Sequence, residues 1–160
     1  MGTAGVGKSF LIRALETGIW NLVKSRYGAE KYPNVRTAVR LAAFTGKAAY
    51  QVGGVTLHSL LSIGDIHNLK PLSGNKLQQL QNDLENTHFL FIDEMSMVSL
   101  NMLMAIDSRL RVIFPQRHDQ PFGGVSVVGF RSTATSSRLC TLLSSLSHYS
   151  SSSSMGYLSL

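Results

Sequence analysis

Two groups of residues in this chain have the types and spacing to act together on a phosphate. The first, Gly2-Thr-Ala-Gly-Val-Gly-Lys-Ser9, fits the G-x-x-x-x-G-K-[ST] spacing of a phosphate-binding loop. Gly2, Gly5 and Gly7 let the backbone turn where a Cβ would clash. Successive N–H groups, with those of Thr3, Ala4 and Val6 among them, can then face an anion. Lys8 brings a positive charge to the β- and γ-phosphates, and the Ser9 hydroxyl is suited to ligate Mg²⁺. The second group is Asp93-Glu94, directly after the apolar run Phe89–Ile92. One carboxylate can hold a hydrated Mg²⁺ while the next polarises an attacking water as general base. Asp93 is assigned to the metal and Glu94 to the base. An acidic pair alone would be read as a solvated strand end; with the phosphate loop upstream it points to hydrolysis of a nucleoside triphosphate.

Such a site needs a sheet with its ligand at the strand C-termini, and the rest of the pattern supplies one. A helix is expected over residues 9–24, with an apolar face beginning in Phe10–Leu15. A strand is expected over 36–44, a helix over 45–52, and a short helix over 56–62. Residues 64–74 read as a loop, and 75–86 as an amphipathic helix with Leu77, Leu80 and Leu84 on one face. His88–Ile92 has the continuous apolar character of a strand covered on both sides. Ser99 can cap a helix through Met102, Ile106 and Leu110 to about Ile113, and Val125–Val128 is another β-prone run. Strands alternating with helices imply a mostly parallel, doubly wound α/β sheet with flanking helices, a P-loop nucleotide triphosphatase fold. A phosphate loop ordinarily follows a buried strand, and only Met1 precedes this one, so the fold is expected to lack its first strand.

Composition bounds the alternatives. The chain has 160 residues, 44% of them hydrophobic, and a mean hydropathy near zero, as in globular proteins with a sizeable core. No apolar run is long enough to span a membrane, so no membrane partner is expected. Val6 stands where an N-myristoylation signal needs Ser or Thr. One cysteine and five scattered histidines give neither a disulfide framework nor metal-ligand spacing. The net charge of +6 is compatible with a polyanionic partner. All nine acidic residues lie at or before Asp119. Residues 131–160 carry none and hold twelve serines, an uneven distribution that sets the C-terminal stretch apart.

Five blocks in order resemble the Pif-type helicases, ATP-dependent 5′-to-3′ DNA helicases of superfamily one. They are Gly2–Ser9, Ala43-Phe-Thr-Gly-Lys-Ala-Ala49, Gly54-Val-Thr-Leu-His-Ser59, Ile92-Asp-Glu-Met-Ser-Met-Val98 and Pro121-Phe-Gly-Gly-Val-Ser-Val-Val128. The resemblance implies a RecA-like motor domain that uses ATP and Mg²⁺ and acts on single-stranded or forked DNA. Its implied roles are DNA repair, recombination and telomere maintenance, in the nucleus or mitochondrion. It also implies that Thr45, Gly46 and Lys47, with His58 and Ser59 close by, meet the DNA backbone. Bland readings stand beside these: Thr45 as a helix cap, Lys47 as a solvated charge, His58 as a packed histidine. Asp107-Ser-Arg-Leu-Arg111 resembles the family's helix after the acidic block, where its arginines are expected to be structural or in surface pairs.

The resemblance stops after Val128, where the family continues G-D-x-x-Q-L-P-P-V. Residues 129–138 can be encoded by GGA TTT CGG TCA ACT GCC ACC TCC AGT followed by an arginine codon beginning with C, and the same string shifted by one base reads D-F-G-Q-L-P-P-P-V. Residues 1–129 are therefore expected to be a partial RecA-like domain, and 130–160 a disordered, out-of-frame tail. A second RecA-like domain would supply an arginine to the transition state, a contribution of roughly 10³–10⁵ in related enzymes. Alone, the segment is expected not to unwind DNA. A nucleotide-binding remnant without catalysis, or the product of a decayed mobile element, is the alternative.

Overall fold

Parallel strands must be covered on both faces, and the apolar residues of this chain are distributed to do so. The computed structural model describes residues 6–131 and 139–142. Their sheet contains β1 (Val39–Ala43), β2 (Val55–Thr56), β3 (Phe89–Asp93), β4 (Ser126–Phe130) and β5 (Leu139–Leu142). The spatial order is β2–β1–β3–β4–β5. The first four are mutually parallel, and β5 runs antiparallel along β4 with a register shift at Val128/Gly129. The helices are α1 (Val6–Tyr27), α2 (Val35–Ala38), α3 (Gly46–Val52), α4 (Leu57–Leu61), α5 (Gly74–Leu84) and α6 (Leu100–Ile113).

Side chains alternate between two cores. Ala42, Leu90, Ile92 and Val127 point to one face, against Leu57 and Leu61 of α4, Leu80 and Leu84 of α5, and Met102, Ile106 and Leu110 of α6. Val39, Phe91 and Phe130 point to the other, against Ile12 and Val23 of α1 and Val52 of α3. This period-two division is what the pleat of a strand imposes. It makes the sheet a shared wall, with helices on both sides as the sequence pattern requires.

Three expectations need correction. The strand expected over 36–44 begins only at Val39. Asn34 accepts a hydrogen bond from the Arg36 N–H and caps the single turn α2, so Val35 and Thr37 are helical despite their β-prone side chains. The apolar face of α1 expected in Phe10–Leu15 is carried by Ile12 and Leu15, but Phe10 lies off it and is 74% exposed. The boundary drawn at 129/130 falls inside β4, whose last residue, Phe130, packs against Phe91 with ring centroids 5.3 Å apart. Within the serine-rich stretch, Leu139–Leu142 forms β5. The expectation of disorder for 132–138 and 143–160 lies outside the described residues.

Candidate active site

The register of the sheet brings the candidate residues to one edge. Ala43 of β1 lies beside Asp93 of β3 and beside Thr56 of β2, so three strands finish level. Thr45, Thr56 and Asp93 stand where those strands give way to loops or helices, at the C-terminal edge of a parallel sheet. The first turn of α1 comes to the same edge. Lys8 Nζ lies 2.7 Å from Asp93 Oδ1, joining two residues far apart in sequence. Both are withdrawn from solvent, with side-chain exposures of 13% and 4%. Gly7 and Ser9 belong to that turn. Gly2, Thr3, Ala4 and Gly5, and the side chain of Val6, lie outside the described residues.

Asp93 does two things at once. Its Oδ1 accepts the Lys8 ammonium and also the Glu94 N–H, at 2.9 Å. Glu94 has φ +53, a left-handed conformation that a non-glycine residue adopts only at a cost. It turns the chain sharply off β3, so that the two adjacent carboxylates do not continue the alternation of a strand. Asp93 is buried and Glu94 is half-buried. One carboxylate is thus fixed within the sheet edge, while the next is presented from a turn. The turn itself is braced from β4: a Cβ on Gly129 would lie 2.8 Å from Met95 Cγ, so glycine there lets Met95 pack as it does. Sequence reasoning missed that contact, and a glycine inside an otherwise β-prone run was its one signal.

The residues proposed to meet DNA form two capped helix starts beside this centre. Thr45 Oγ1 accepts from the Ala48 N–H at 3.3 Å, which is the capping role considered for it. Gly46 and Lys47 are exposed. Thr56 Oγ1 accepts from the Ser59 N–H and donates to Ser59 Oγ at 2.9 Å. His58 packs edge-on against Phe44, centroids 5.5 Å apart, so the packed reading of this histidine describes its ring. Lys47 and Ser59 reach solvent on the edge that holds Asp93, and His58 is half-buried beside them.

The arginines of α6 differ in their surroundings. Arg111 donates from Nε to Asp107 Oδ2 at 2.7 Å, and Asp107 Oδ1 accepts the Phe122 N–H at 2.6 Å. That carboxylate therefore fixes the turn before β4, where Phe122 and Gly123 both have positive φ. Arg109 is buried and donates to the carbonyls of Ser62 and Lys70 at 3.3 and 2.7 Å.

Oxygen donors are the right chemistry for Mg²⁺, which takes one or two protein ligands and completes its shell with water and phosphate. Asp93 and the Ser9 hydroxyl fit that pattern. No group of three or more His, Cys, Asp or Glu that could hold a metal occurs among the described residues. No helix among them is long and apolar enough to cross a membrane.

Comparison with known proteins places the chain in a family. The sequence profile of PIF1-like helicases matches residues 1–130. The chain belongs to the PIF1-like helicase family. It is 38% identical over 135 residues to the ATP-dependent DNA helicase PIF1 of Candida albicans, a match that covers 79% of this chain and 13% of that protein. Bacteroides sp Pif1 in complex with ADP-AlF4 superposes with a TM-score of 0.55 at 30% identity, over 93% of this chain and 31% of that one. A Pif1 structure describing DNA unwinding at forked duplex DNA by two coordinating helicases superposes at 0.50, also at 30% identity, over 84% and 37%. The chain thus spans about an eighth to two fifths of the length of these PIF1-like relatives.

Proposed function

We propose that this chain is the nucleotide-binding face, with part of the single-strand track, of an ATP-dependent DNA helicase. The observation that carries the reading is the 2.7 Å pairing of Lys8 with Asp93 at the C-terminal edge of the sheet. A half-buried ammonium and a buried carboxylate, each able to serve a different part of a nucleotide, offset one another's charge. When triphosphate enters, Lys8 turns from Asp93 to the β- and γ-phosphates, and Asp93 and the Ser9 hydroxyl are the residues that would hold Mg²⁺. Mg²⁺ held there would supply positive charge against the charge that develops on the phosphates. Glu94, presented from its turn, orients the attacking water and takes its proton. Lys47 and Ser59 lie on the same edge, so changes at the phosphates and at a bound strand share one set of loops.

Binding of a fluorescent ATP analogue with Mg²⁺ tests the first half of this reading. Lys8→Ala should weaken it at least about tenfold, as expected when one charge-assisted hydrogen bond of about 1.5–3 kcal/mol is removed. Equal binding by wild type and variant would overturn it. Stimulation of hydrolysis by single-stranded DNA tests the second half: its presence marks a coupled motor, and nucleotide binding without it marks a remnant.

A further inference from the structure

A cavity of about 600 Å³ opens between the loop after α4 and the inner end of α6. His58, Ser62, Lys70, Lys76 and Arg109 are among its lining residues. Its floor carries a charge that no carboxylate among the described residues compensates. Arg109 is 5% exposed, yet its only hydrogen-bond acceptors among the described residues are the carbonyls of Ser62 and Lys70. Its Nε has no partner, and no carboxylate among the described residues pairs with it. Burying a guanidinium in this way is costly unless an anion offsets it. Ser62 is held at φ +51 to cap α4, and its carbonyl is one of the two that hold the guanidinium.

The rim adds charge of the same sign. Lys76 is half-buried and Lys70 exposed, against a single acid, Asp65, whose carboxylate accepts the His67 N–H of its own loop at 2.9 Å. The volume lies within the range of small-ligand sites and suits a nucleotide unit better than a lone ion. His58 joins this cavity to the surface already described, because it lies on α4 next to Ser59.

We propose that this cavity receives a phosphodiester group of the single strand as it leaves the Thr56–Ser59 segment, with Arg109, Lys70 and Lys76 as its anion-binding residues. The proposal rests on the DNA reading given above and extends the interface from α4 to the loop before α5. Phosphate contacts of this kind position a strand without reading its sequence, so affinity here depends on salt and not on base identity.

The test is binding of a fluorescein-labelled oligothymidylate to the whole chain, by anisotropy across a salt series. It compares wild type, Lys47→Ala, the pair Lys70→Ala with Lys76→Ala, and the same pair as arginines. The alanine pair should weaken binding about fivefold or more and flatten the salt dependence by roughly 0.7 log units per log unit of salt for each phosphate no longer neutralised. The arginine pair should restore both. An alanine pair that binds like wild type, while Lys47→Ala weakens binding, overturns the cavity and leaves the DNA reading intact. No binding by wild type in a preparation that binds nucleotide overturns both. Inorganic phosphate bound by wild type but not by the alanine pair, with equal oligothymidylate affinity for the two proteins, marks a free-phosphate site and overturns the proposal.

Discussion

At the scale of single residues, Asp93 holds the site together. Its carboxylate is almost fully buried, and its Oδ1 serves both the Lys8 ammonium and the Glu94 N–H. Asp93→Asn keeps the shape and a hydrogen-bond acceptor but removes the carboxylate charge that faces the Lys8 ammonium. The expected cost is about 1–3 kcal/mol, the range for hydrogen bonds to charged groups, lessened because Lys8 retains some access to water. A lowered urea midpoint with an unchanged slope would show it. The variant should also lose the Mg²⁺ dependence of nucleotide binding, since the amide that replaces the carboxylate is a poor metal ligand. An Asp93→Asn protein as stable as wild type, with Mg²⁺ dependence intact, would remove Asp93 from both roles. These residues were legible from spacing alone, because a phosphate loop and a carboxylate at a strand end have chemical requirements that few residue types meet. The pairing between them was not, since nothing in the sequence states which loop returns to which strand end.

At the scale of elements, two glycines with crowded surroundings should respond differently to the same substitution. A Cβ on Gly54 would lie 2.3 Å from the Leu41 carbonyl oxygen, a backbone atom in the middle of β1 that cannot move without breaking the sheet. A Cβ on Gly129 would meet the Met95 side chain, which has three soft torsions and can swing away. Gly54→Ala should therefore cost more than about 3 kcal/mol and loosen β2 with the α4 segment behind it, whereas Gly129→Ala should cost about 1–2 kcal/mol. Thermal unfolding of the two variants side by side checks the ranking, and equal losses would contradict it. Elements whose signals agree were readable in advance. α6 starts at the Ser99 cap and buries Met102, Ile106 and Leu110, and α5 buries Leu80 and Leu84. Where signals conflict, sequence reading failed. The β-prone residues before Val39 gave way to a cap by Asn34, and α1 turned Phe10 outward because Ile12 and Val23 face the sheet. Arg109 was read as structural or paired at the surface, but its burial follows only from the loop that closes over it.

At the scale of the whole molecule, the end of the sheet opposite the site is closed by a titratable cluster. His88, just before β3, donates its N–H to the Ala38 carbonyl and accepts the Ser126 N–H, so it ties β1, β3 and β4 together. Its ring is stacked on Tyr27 with an interplanar angle of 9°, and its Nε2 lies 2.7 Å from Tyr32 Oη, which draws the end of α1 and the following loop onto the sheet. Burial holds the His88 pKa below its ordinary value of 6.5, and the positive charges of Arg117 and Lys31 push it the same way. The unfolded chain therefore binds the proton more readily than the folded one. Stability contributed by neutral His88 is present above the ordinary histidine pKa and declines as pH falls through that value toward the depressed one. Glu16 acts in the opposite sense at lower pH, because burial raises its pKa and favours the protonated, folded form. The comparison that isolates His88 is the melting temperature of wild type against His88→Gln between pH 7.5 and 5. Wild type should lose stability over that interval and the variant should lose less, as glutamine has no proton to gain. Parallel curves for the two proteins would mean that His88 closes the lower end of the sheet by packing alone.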